Sequence, residues 1–293
     1  MSDIIIKVLG TAQDGGYPQP GCDCPNCIRV RKNNNLIRYP ASLAVLNKKE
    51  KSTYLIDPTP QLPAQLEELN QMAKKLNFPD DHLKEIIITH AHMGHYTGLM
   101  YFGKEAINSS GLKVRGSSRL KEFLTTNQPW QSLVENNNII INIFIFGQDI
   151  YSDKNFNIEP IKVPHRADFT DTAGFLIKGQ NKSLFYLPDI DSWEGFRPKF
   201  ADLSSKTDYM VIDGTFYTKE ELGELRGRNI DNVPHPPIED TINELLENKL
   251  EKNESEVYFT HFNHTNKVLD PNFTNDFKED NIFFLSEDMN FEL

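Results

Sequence analysis

The stretch Glu85-Ile-Ile-Ile-Thr-His90-Ala-His92-Met-Gly-His95-Tyr-Thr-Gly98 decides both the fold and the site. Its apolar, β-branched start is typical of a buried strand, and the strand leads directly into three histidines within six residues. Because the chain has only eight histidines, the cluster predicts a metal site rather than a polar surface turn. Strand ends are where α/β proteins place their chemistry, and converging imidazoles suit zinc or iron.

Strand-like segments alternate with helical ones along the whole chain. Runs rich in Ile, Val, Phe and Tyr predict strands over residues 4–9, 42–46, 53–56, 85–89, 139–146, 158–163, 172–177, 183–187, 209–212 and 257–260. Apolar residues at helical spacing predict helices over residues 63–76, 97–105, 118–125 and 238–250. This order favours an α/β protein, a single domain over residues 1–293, in which two sheets are flanked by helices.

Composition limits the partners of the chain. The net charge of -11 and the pI of about 5.2 disfavour binding to nucleic acid, because an acidic surface repels phosphates. No apolar run approaches the roughly 18 residues of a membrane span, and the N-terminus reads as a strand rather than a signal peptide. We therefore expect a cytoplasmic protein with a small-molecule substrate, and the oligomeric state stays open.

The spacing His90-x-His92-x-x-His95 resembles the His-x-His-x-Asp-His signature of the metallo-β-lactamase superfamily, which also follows a strand and a threonine. The resemblance implies an αββα four-layer sandwich and a metallohydrolase. Gly94 stands at the aspartate position of the signature, where the superfamily usually has a ligand of a second metal. The resemblance therefore leaves open whether one or two metals bind.

Later strand ends carry the remaining ligands that the resemblance implies, namely His165, Asp189 and His261. The first metal would take His90, His92, His165 and Asp189. The second would take His95, Asp189 and His261, with water in place of the missing aspartate. A metal with an open position lowers the pKa of its bound water toward neutrality and yields hydroxide for hydrolysis. Asp189 is thus predicted as both a metal ligand and a catalytic residue.

All three cysteines, Cys22, Cys24 and Cys27, form a Cys-x-Cys-x-x-Cys knuckle. This spacing lets three thiolates hold one tetrahedral zinc. In a reducing compartment clustered cysteines read better as metal ligands than as disulfides, and three unligated thiols are the alternative. His235, in Val-Pro-His-Pro-Pro, is the best candidate for a fourth ligand. Such a closed site would be structural and would fix the N-terminal loop to a distant segment.

The knuckle and the Gly-Gly-x-Pro-Gln before it resemble the N-terminus of the PqqB-like family, the pyrroloquinoline-quinone biosynthesis proteins B. Further similar stretches are Asp213-Gly-Thr-Phe, Glu220-Glu221-Leu, Pro-His235-Pro and Phe259-Thr-His261-Phe-Asn-His-Thr-Asn266, so the resemblance covers nearly the whole chain. The chain also resembles the PhnP-type phosphodiesterase of phosphonate catabolism, whose knuckle is closed by a distant histidine, and this implies His235 here. The biosynthetic family typically lacks much of the histidine set, so its presence favours a hydrolase-type branch.

The leading hypothesis is a metal-dependent hydrolase of a small ester, lactone or phosphodiester. It would contain one structural zinc and one or two active-site metals, for which zinc is preferred and iron or manganese is an alternative. The first alternative function is an oxidative step in pyrroloquinoline-quinone biosynthesis, with iron. The second is a noncatalytic binding or carrier protein, against which the ordered set of ligand-type residues argues.

Other candidate residues surround this site. His264 is predicted to donate a proton to the leaving group or to contact an anionic substrate, with an exposed loop histidine as the alternative. Asp213 is predicted to support the ligands from behind. Residues that could line a substrate pocket are Arg166, Trp193, Arg226 and Arg228, the last two in a loop over residues 219–228 that we expect to lie near the site.

Overall fold

Two β-sheets form the centre of the molecule in the computed structural model, which describes residues 2–151, 155–224, 234–247 and 255–293. The strands are β1 Ile4–Gly10, β2 Ser42–Asn47, β3 Ser52–Ile56, β4 Leu83–Ile87, β5 Leu112–Gly116, β6 Ile139–Ile143, β7 Asn157–Val163, β8 Thr172–Lys178, β9 Ser183–Leu187, β10 Tyr209–Asp213, β11 Glu256–Thr260, β12 Ile282–Phe284 and β13 Asn290–Glu292. One sheet has the order β13-β1-β2-β3-β4-β5-β6, and the other has the order β12-β11-β10-β9-β8-β7.

Helices lie on the outer faces of the two sheets. They are α1 Pro25–Lys32, α2 Leu62–Lys75, α3 Met93–Tyr96, α4 Ser118–Thr126, α5 Trp130–Glu135, α6 Arg197–Ser204 and α7 Ile238–Glu247. Short 3-10 helices cover Asn34–Leu36, Thr97–Phe102, Lys219–Glu224, Lys267–Leu269 and Lys278–Asp280. Apolar clusters separate these layers, one between the sheets and one under each outer set of helices. The predicted four-layer αββα arrangement is confirmed.

Because side chains alternate between the two faces of a strand, one sheet packs into two apolar clusters. In β4, Ile87 packs into the cluster between the sheets, whereas Ile86 packs under the helices on the outer face. Successive side chains of a strand point to opposite faces, so an uninterrupted Ile run is what a strand buried on both faces requires. Among the residues that the structure describes, no helix has the length and apolar character needed to cross a membrane.

The parallel parts of the two sheets bring strand ends together. Strands β3 to β6 are mutually parallel, as are β9 to β12. The sheets meet just beyond β4, where the Thr89 carbonyl accepts a 3.0 Å hydrogen bond from the Ala173 amide of β8. The loops that follow β4, β7, β9 and β11 therefore face one another at one edge of the sandwich.

Some predicted elements differ in the structure. Strand β5 was not predicted, because Lys113 and Arg115 interrupt its apolar residues, and the C-terminal strands β12 and β13 are only three residues long. The helix predicted over residues 97–105 is instead the short α3 followed by the 3-10 helix Thr97–Phe102. The backbone at Gly98 packs directly against the backbone at Thr59, since a Cβ at position 98 would lie 2.2 Å from the carbonyl oxygen of Thr59.

Candidate metal centre

Four ligand-type side chains converge where the two sheets meet. His165 Nε2 lies 3.0 Å from His92 Nδ1 and 3.2 Å from Asp189 Oδ2. The same carboxylate oxygen lies 3.3 Å from His90 Nε2 and 3.9 Å from His92 Nδ1. Ligand atoms around a tetrahedral zinc are separated by about 3.3 Å when the metal–ligand bonds are about 2.0–2.1 Å. The four atoms therefore have the spacing of one metal-binding site.

Each ligand follows directly from a strand. His90 and His92 come after β4, His165 after β7, and Asp189 after β9. His90, Asp189 and the His165 side chain are almost completely buried, whereas the His92 side chain is 15% exposed. The opening of this group toward solvent is thus beside His92, where a small molecule could approach.

The second ring nitrogen of most of these imidazoles holds the ring in place. The orienting contacts are His90 Nδ1 to Thr89 Oγ1 at 3.0 Å, His95 Nδ1 to Asp57 Oδ2 at 2.8 Å and His261 Nδ1 to Thr215 Oγ1 at 2.9 Å. Such partners fix the tautomer and direction of a metal-binding histidine. In each of these rings the Nε2 atom is the one directed toward the centre.

A further group lies close to Asp189. His95 Nε2 and His261 Nε2 are 3.4 Å and 4.0 Å from Asp14 Oδ1. His261 has a left-handed backbone with φ of 64°, an unusual conformation for a residue with a side chain that marks functional positions. Ligand-type atoms of Asp189, Asp213, His235 and His261 also lie within 4.8 Å of one another, so Asp189 lies between the two groups.

Burial and neighbouring charge set the protonation of these groups. Burial alone would raise the pKa of Asp189, but the charges of His235 and His165, together with His90 and His92 beside the carboxylate, hold the pKa well below its usual range. Burial lowers the pKa of His90 well below its usual value and that of His261 to about 4. A charged carboxylate beside the neutral imidazoles of His90 and His261 suits a divalent cation, which binds deprotonated ligands.

His235 lies in this centre and not at the cysteines, which corrects the sequence-based assignment. Its Nδ1 is 2.7 Å from Asp213 Oδ2 and 3.4 Å from Asp189 Oδ1. Burial opposes protonation, but the charges of Asp213 and Asp189 raise the pKa of His235 to about 9. Asp213, at the end of β10, also accepts hydrogen bonds from Thr215. These contacts to His235 and Thr215 are the ones expected of a residue that supports the ligands from behind.

His264 instead lies at the cysteine knuckle, so its predicted position at the leaving group is wrong. Its Nδ1 is 3.6 Å from Cys22 Sγ and 3.4 Å from Cys24 Sγ, and Cys27 completes the group of four. For zinc bonds of about 2.3 Å to sulfur and 2.0–2.1 Å to nitrogen, the tetrahedral separation is about 3.6 Å. His235 belongs to the other centre because the chain just after it is bonded to the segment that follows β10, where the Ile238 amide donates to the Phe216 carbonyl.

The predicted pocket residues have different surroundings. Trp193 is buried in the core under the second sheet, where its Nε1 donates to Thr241 Oγ1, so it does not line a pocket. Arg166 lies at the open side, with its Nε 3.9 Å from Asp168 Oδ2, and Asp168 Oδ2 is 3.6 Å from His92 Nε2. Arg226 and Arg228 lie outside the described residues.

Sequence reasoning missed several carboxylates of this centre, among them Asp14 and Asp57. Asp57 follows β3 and accepts hydrogen bonds from the Thr89 amide and hydroxyl while it contacts His95. A strand end was a usable signal for Asp57, as it was for the ligands. Asp14 follows β1 in a glycine-rich loop, and the only signal for it was the glycine at position 94, where the signature has an acid.

Comparison with known proteins agrees with this architecture. Residues 52–262 match the model of the beta-lactamase superfamily domain. Coenzyme PQQ synthesis protein B of Nitrosococcus oceani is 26% identical over 242 residues, 75% of this chain and 76% of that protein. The zinc-bound PqqB from Methylobacterium extorquens has a TM-score of 0.77 at 16% identity, covering 99% of this chain and 100% of that chain. A diphosphatase of the PhnP family has a TM-score of 0.66 at 16% identity, covering 99% and 97%. At such identity the two structures show a shared fold.

Proposed function

Because the chain belongs to the beta-lactamase superfamily, we propose that it is a metal-dependent hydrolase acting on a small ester or phosphodiester. The observation that carries the proposal is the convergence of His90, His92, His165 and Asp189, with ligand atoms 3.0–3.9 Å apart. These side chains come from three separate segments of the chain, and a mostly buried group of histidines and a carboxylate is the ligand set of a metal site.

Unpartnered buried atoms support a fit to a divalent metal. Within the described part of the chain, His90 Nε2, which faces the first group, is buried and has no hydrogen-bond partner, and Asp189 Oδ1 is buried and unpartnered on the side of His235. Buried polar atoms are normally satisfied, so an orphaned nitrogen among ligand-type atoms indicates a missing ligand. His90, His92, His165 and Asp189 would hold the first metal, which when bound supplies Lewis acidity and lowers the pKa of a coordinated water.

The protein's own residues position the reactants. Thr89 and Thr215 keep the rings of His90 and His261 directed at the centre, so little reorganisation is needed when the substrate arrives. His235, held by Asp213, presents a buried imidazole beside Asp189 and is placed to contact a substrate oxygen. Arg166 at the open side suits an anionic substrate group such as a phosphodiester.

The knuckle fits a structural zinc. Cys22, Cys24, Cys27 and His264 supply four ligands, which leaves no position for a reacting water. Cys24 also caps α1, because its sulfur accepts a hydrogen bond from the Cys27 amide. We infer that zinc here fastens the loop before α1 to the segment after β11.

A second candidate function is an oxidative step in quinone-cofactor biosynthesis with iron in the active site. It is favoured by curated relatives described as coenzyme PQQ synthesis protein B, which are similar over about three quarters of the chain. Histidine and carboxylate ligands suit iron as well as zinc. The hydrolase remains our first choice because the first metal position has a complete set of three histidines and one aspartate.

Metal analysis combined with two activity screens tests these functions. We expect wild-type protein to contain active-site metal and to hydrolyse members of an ester, lactone and phosphodiester panel, and Asp189→Asn to lose both. His82→Asn is the matched control, because His82 is a buried histidine bonded to Thr53 and Asn70 away from the site. Oxygen consumption without hydrolysis would favour the second function. Active-site metal that survives Asp189→Asn unchanged would overturn the first.

A further inference from the structure

Three unpartnered ligand atoms form a second group beside the first metal position. Among the described residues, Asp14 Oδ1, His95 Nε2 and His261 Nε2 are buried and lack hydrogen bonds. The two nitrogens lie 3.4 Å and 4.0 Å from the Asp14 oxygen, and both histidines are only 1% exposed. Neither ring is free to turn away, because Asp57 and Thr215 contact their Nδ1 atoms. The three atoms lie within 4.8 Å of one another, and no described residue satisfies them.

The backbone delivers Asp14 to this point. The loop after β1 lies beside the segment after β11, where the Gln13 amide donates to the Phe262 carbonyl at 2.9 Å and the Phe262 amide donates to the Thr11 carbonyl at 2.8 Å. These bonds are made by residues that lie one and three positions before Asp14 on one segment and by the residue that follows His261 on the other. The carboxylate is therefore held next to His261 by main-chain geometry.

The absence of a side chain at Gly94 leaves the space that Asp14 occupies. A Cβ at position 94 would lie 2.1 Å from Asp14 Oδ1 and 2.6 Å from Asp14 Cα, so residue 94 cannot carry a side chain while the loop lies here. The space that a residue-94 side chain would enter is occupied by a carboxylate from another part of the chain. Burial raises the pKa of Asp14, but the neighbouring His95 outweighs this and holds the pKa of that carboxyl below its usual range.

We propose that Asp14, His95 and His261 bind a second divalent cation, with Asp14 supplying the carboxylate that the superfamily signature carries at the position of Gly94. Asp189 lies between the two groups and is placed to contact both cations. The proposal rests on the proposed function, since it places the second cation beside the first. It differs from the sequence-based expectation, in which water filled the place of the missing acid.

Manganese titration tests the proposal by binding rather than by turnover. We expect protein with zinc bound at the cysteine knuckle to take up two Mn²⁺ per chain. Its electron paramagnetic resonance spectrum should show a spin-coupled pair, as expected for two metals about 3.5–4 Å apart. In Asp14→Asn, which keeps the side-chain size, the second Mn²⁺ should bind more than about 100-fold more weakly, because loss of supporting contacts alone costs 10–100-fold. The spectrum should then be that of an isolated ion.

Asp81→Asn is the control, since Asp81 is an exposed carboxylate paired with Lys84 and remote from the centre. It should bind two Mn²⁺ as the wild type does. Wild-type protein that takes up a single Mn²⁺, or Asp14→Asn that keeps the second with unchanged affinity, would overturn this proposal and leave the hydrolase intact. Wild-type protein that binds no active-site metal would instead overturn the proposed function. If the variant fails to fold, uptake of a single Mn²⁺ by the wild type would still overturn the proposal.

Discussion

Replacing His264 with alanine should open the cysteine knuckle, whereas replacing His235 should leave it closed. The reason is the placement of the two side chains. His264 Nδ1 lies 3.4–3.6 Å from two cysteine sulfurs, and His235 Nδ1 lies 2.7 Å from Asp213 in the other centre. Both are buried histidines, so each variant controls for the loss of packing in the other.

Chain connectivity gives the expected size of the effect. Zinc between Cys22 and His264 closes a loop of 242 residues. A cross-link stabilises a protein by lowering the chain entropy of its unfolded state, and for a loop of this length the stabilisation is about 5.5 kcal/mol. If only the knuckle detaches, the backbone bonds between Gln13 and Phe262 persist. Nine residues from Gln13 to Cys22 and two from Phe262 to His264 then form the loop, and for about 11 residues the stabilisation is about 2.8 kcal/mol. We expect His264→Ala to lower the free energy of unfolding by about 3–5 kcal/mol.

Thiol titration isolates this site, because all three cysteines of the chain belong to the knuckle. In native wild type and in His235→Ala the three thiols should react slowly with a disulfide reagent, and in His264→Ala they should react rapidly. Urea unfolding of the same proteins measures the stability difference. Rapid thiol reaction in His235→Ala together with a protected knuckle in His264→Ala would refute the reasoning.

Three further changes test the surroundings of the centre. Asp57→Asn removes the charge that orients His95 and should weaken metal binding there by about 10–100-fold in chelator competition; equal affinity would contradict the orienting role. Gly98→Ala sets a methyl group 2.2 Å from the Thr59 carbonyl oxygen and should cost about 1–3 kcal/mol or more in urea unfolding, which an unchanged midpoint would disprove. Burial lowers the pKa of His82 below its ordinary 6.5. The unfolded chain therefore binds the proton more readily, and the free energy of unfolding should fall as the pH drops below 6.5. His82→Asn should reduce this fall, and identical pH slopes in both proteins would exclude it.

The ligands at strand ends could be predicted because two local signals coincide there. An apolar, β-branched run fixes a strand, and a histidine or aspartate one to five residues later is carried to the carboxyl edge of the sheet. His90, His165, Asp189 and His261 all fit this rule, and the structure brings the first three together. The order of the strands within the sheets was not needed for the inference.

The exchange of His235 and His264 could not be read from the sequence. Each lies in a short polar segment without periodicity, and the partner of each is decided by contacts that span long stretches of chain. His264 is 240 residues from Cys24, a pairing that depends on how the loop before α1 meets the segment after β11. Asp14 was missed for the same reason, since a glycine-rich loop has no preferred direction until the fold sets it.

The loop from β1 to α1 holds Asp14 near its start and the three cysteines near its end, and the facing segment holds both His261 and His264. The two centres are thus built on the same two segments of the chain, so a displacement of one centre also displaces the other. A cysteine variant with poor turnover would therefore not identify a reactive thiol. The lost turnover would instead result from a loosened loop between β1 and α1, which no longer holds Asp14 in place near its other end.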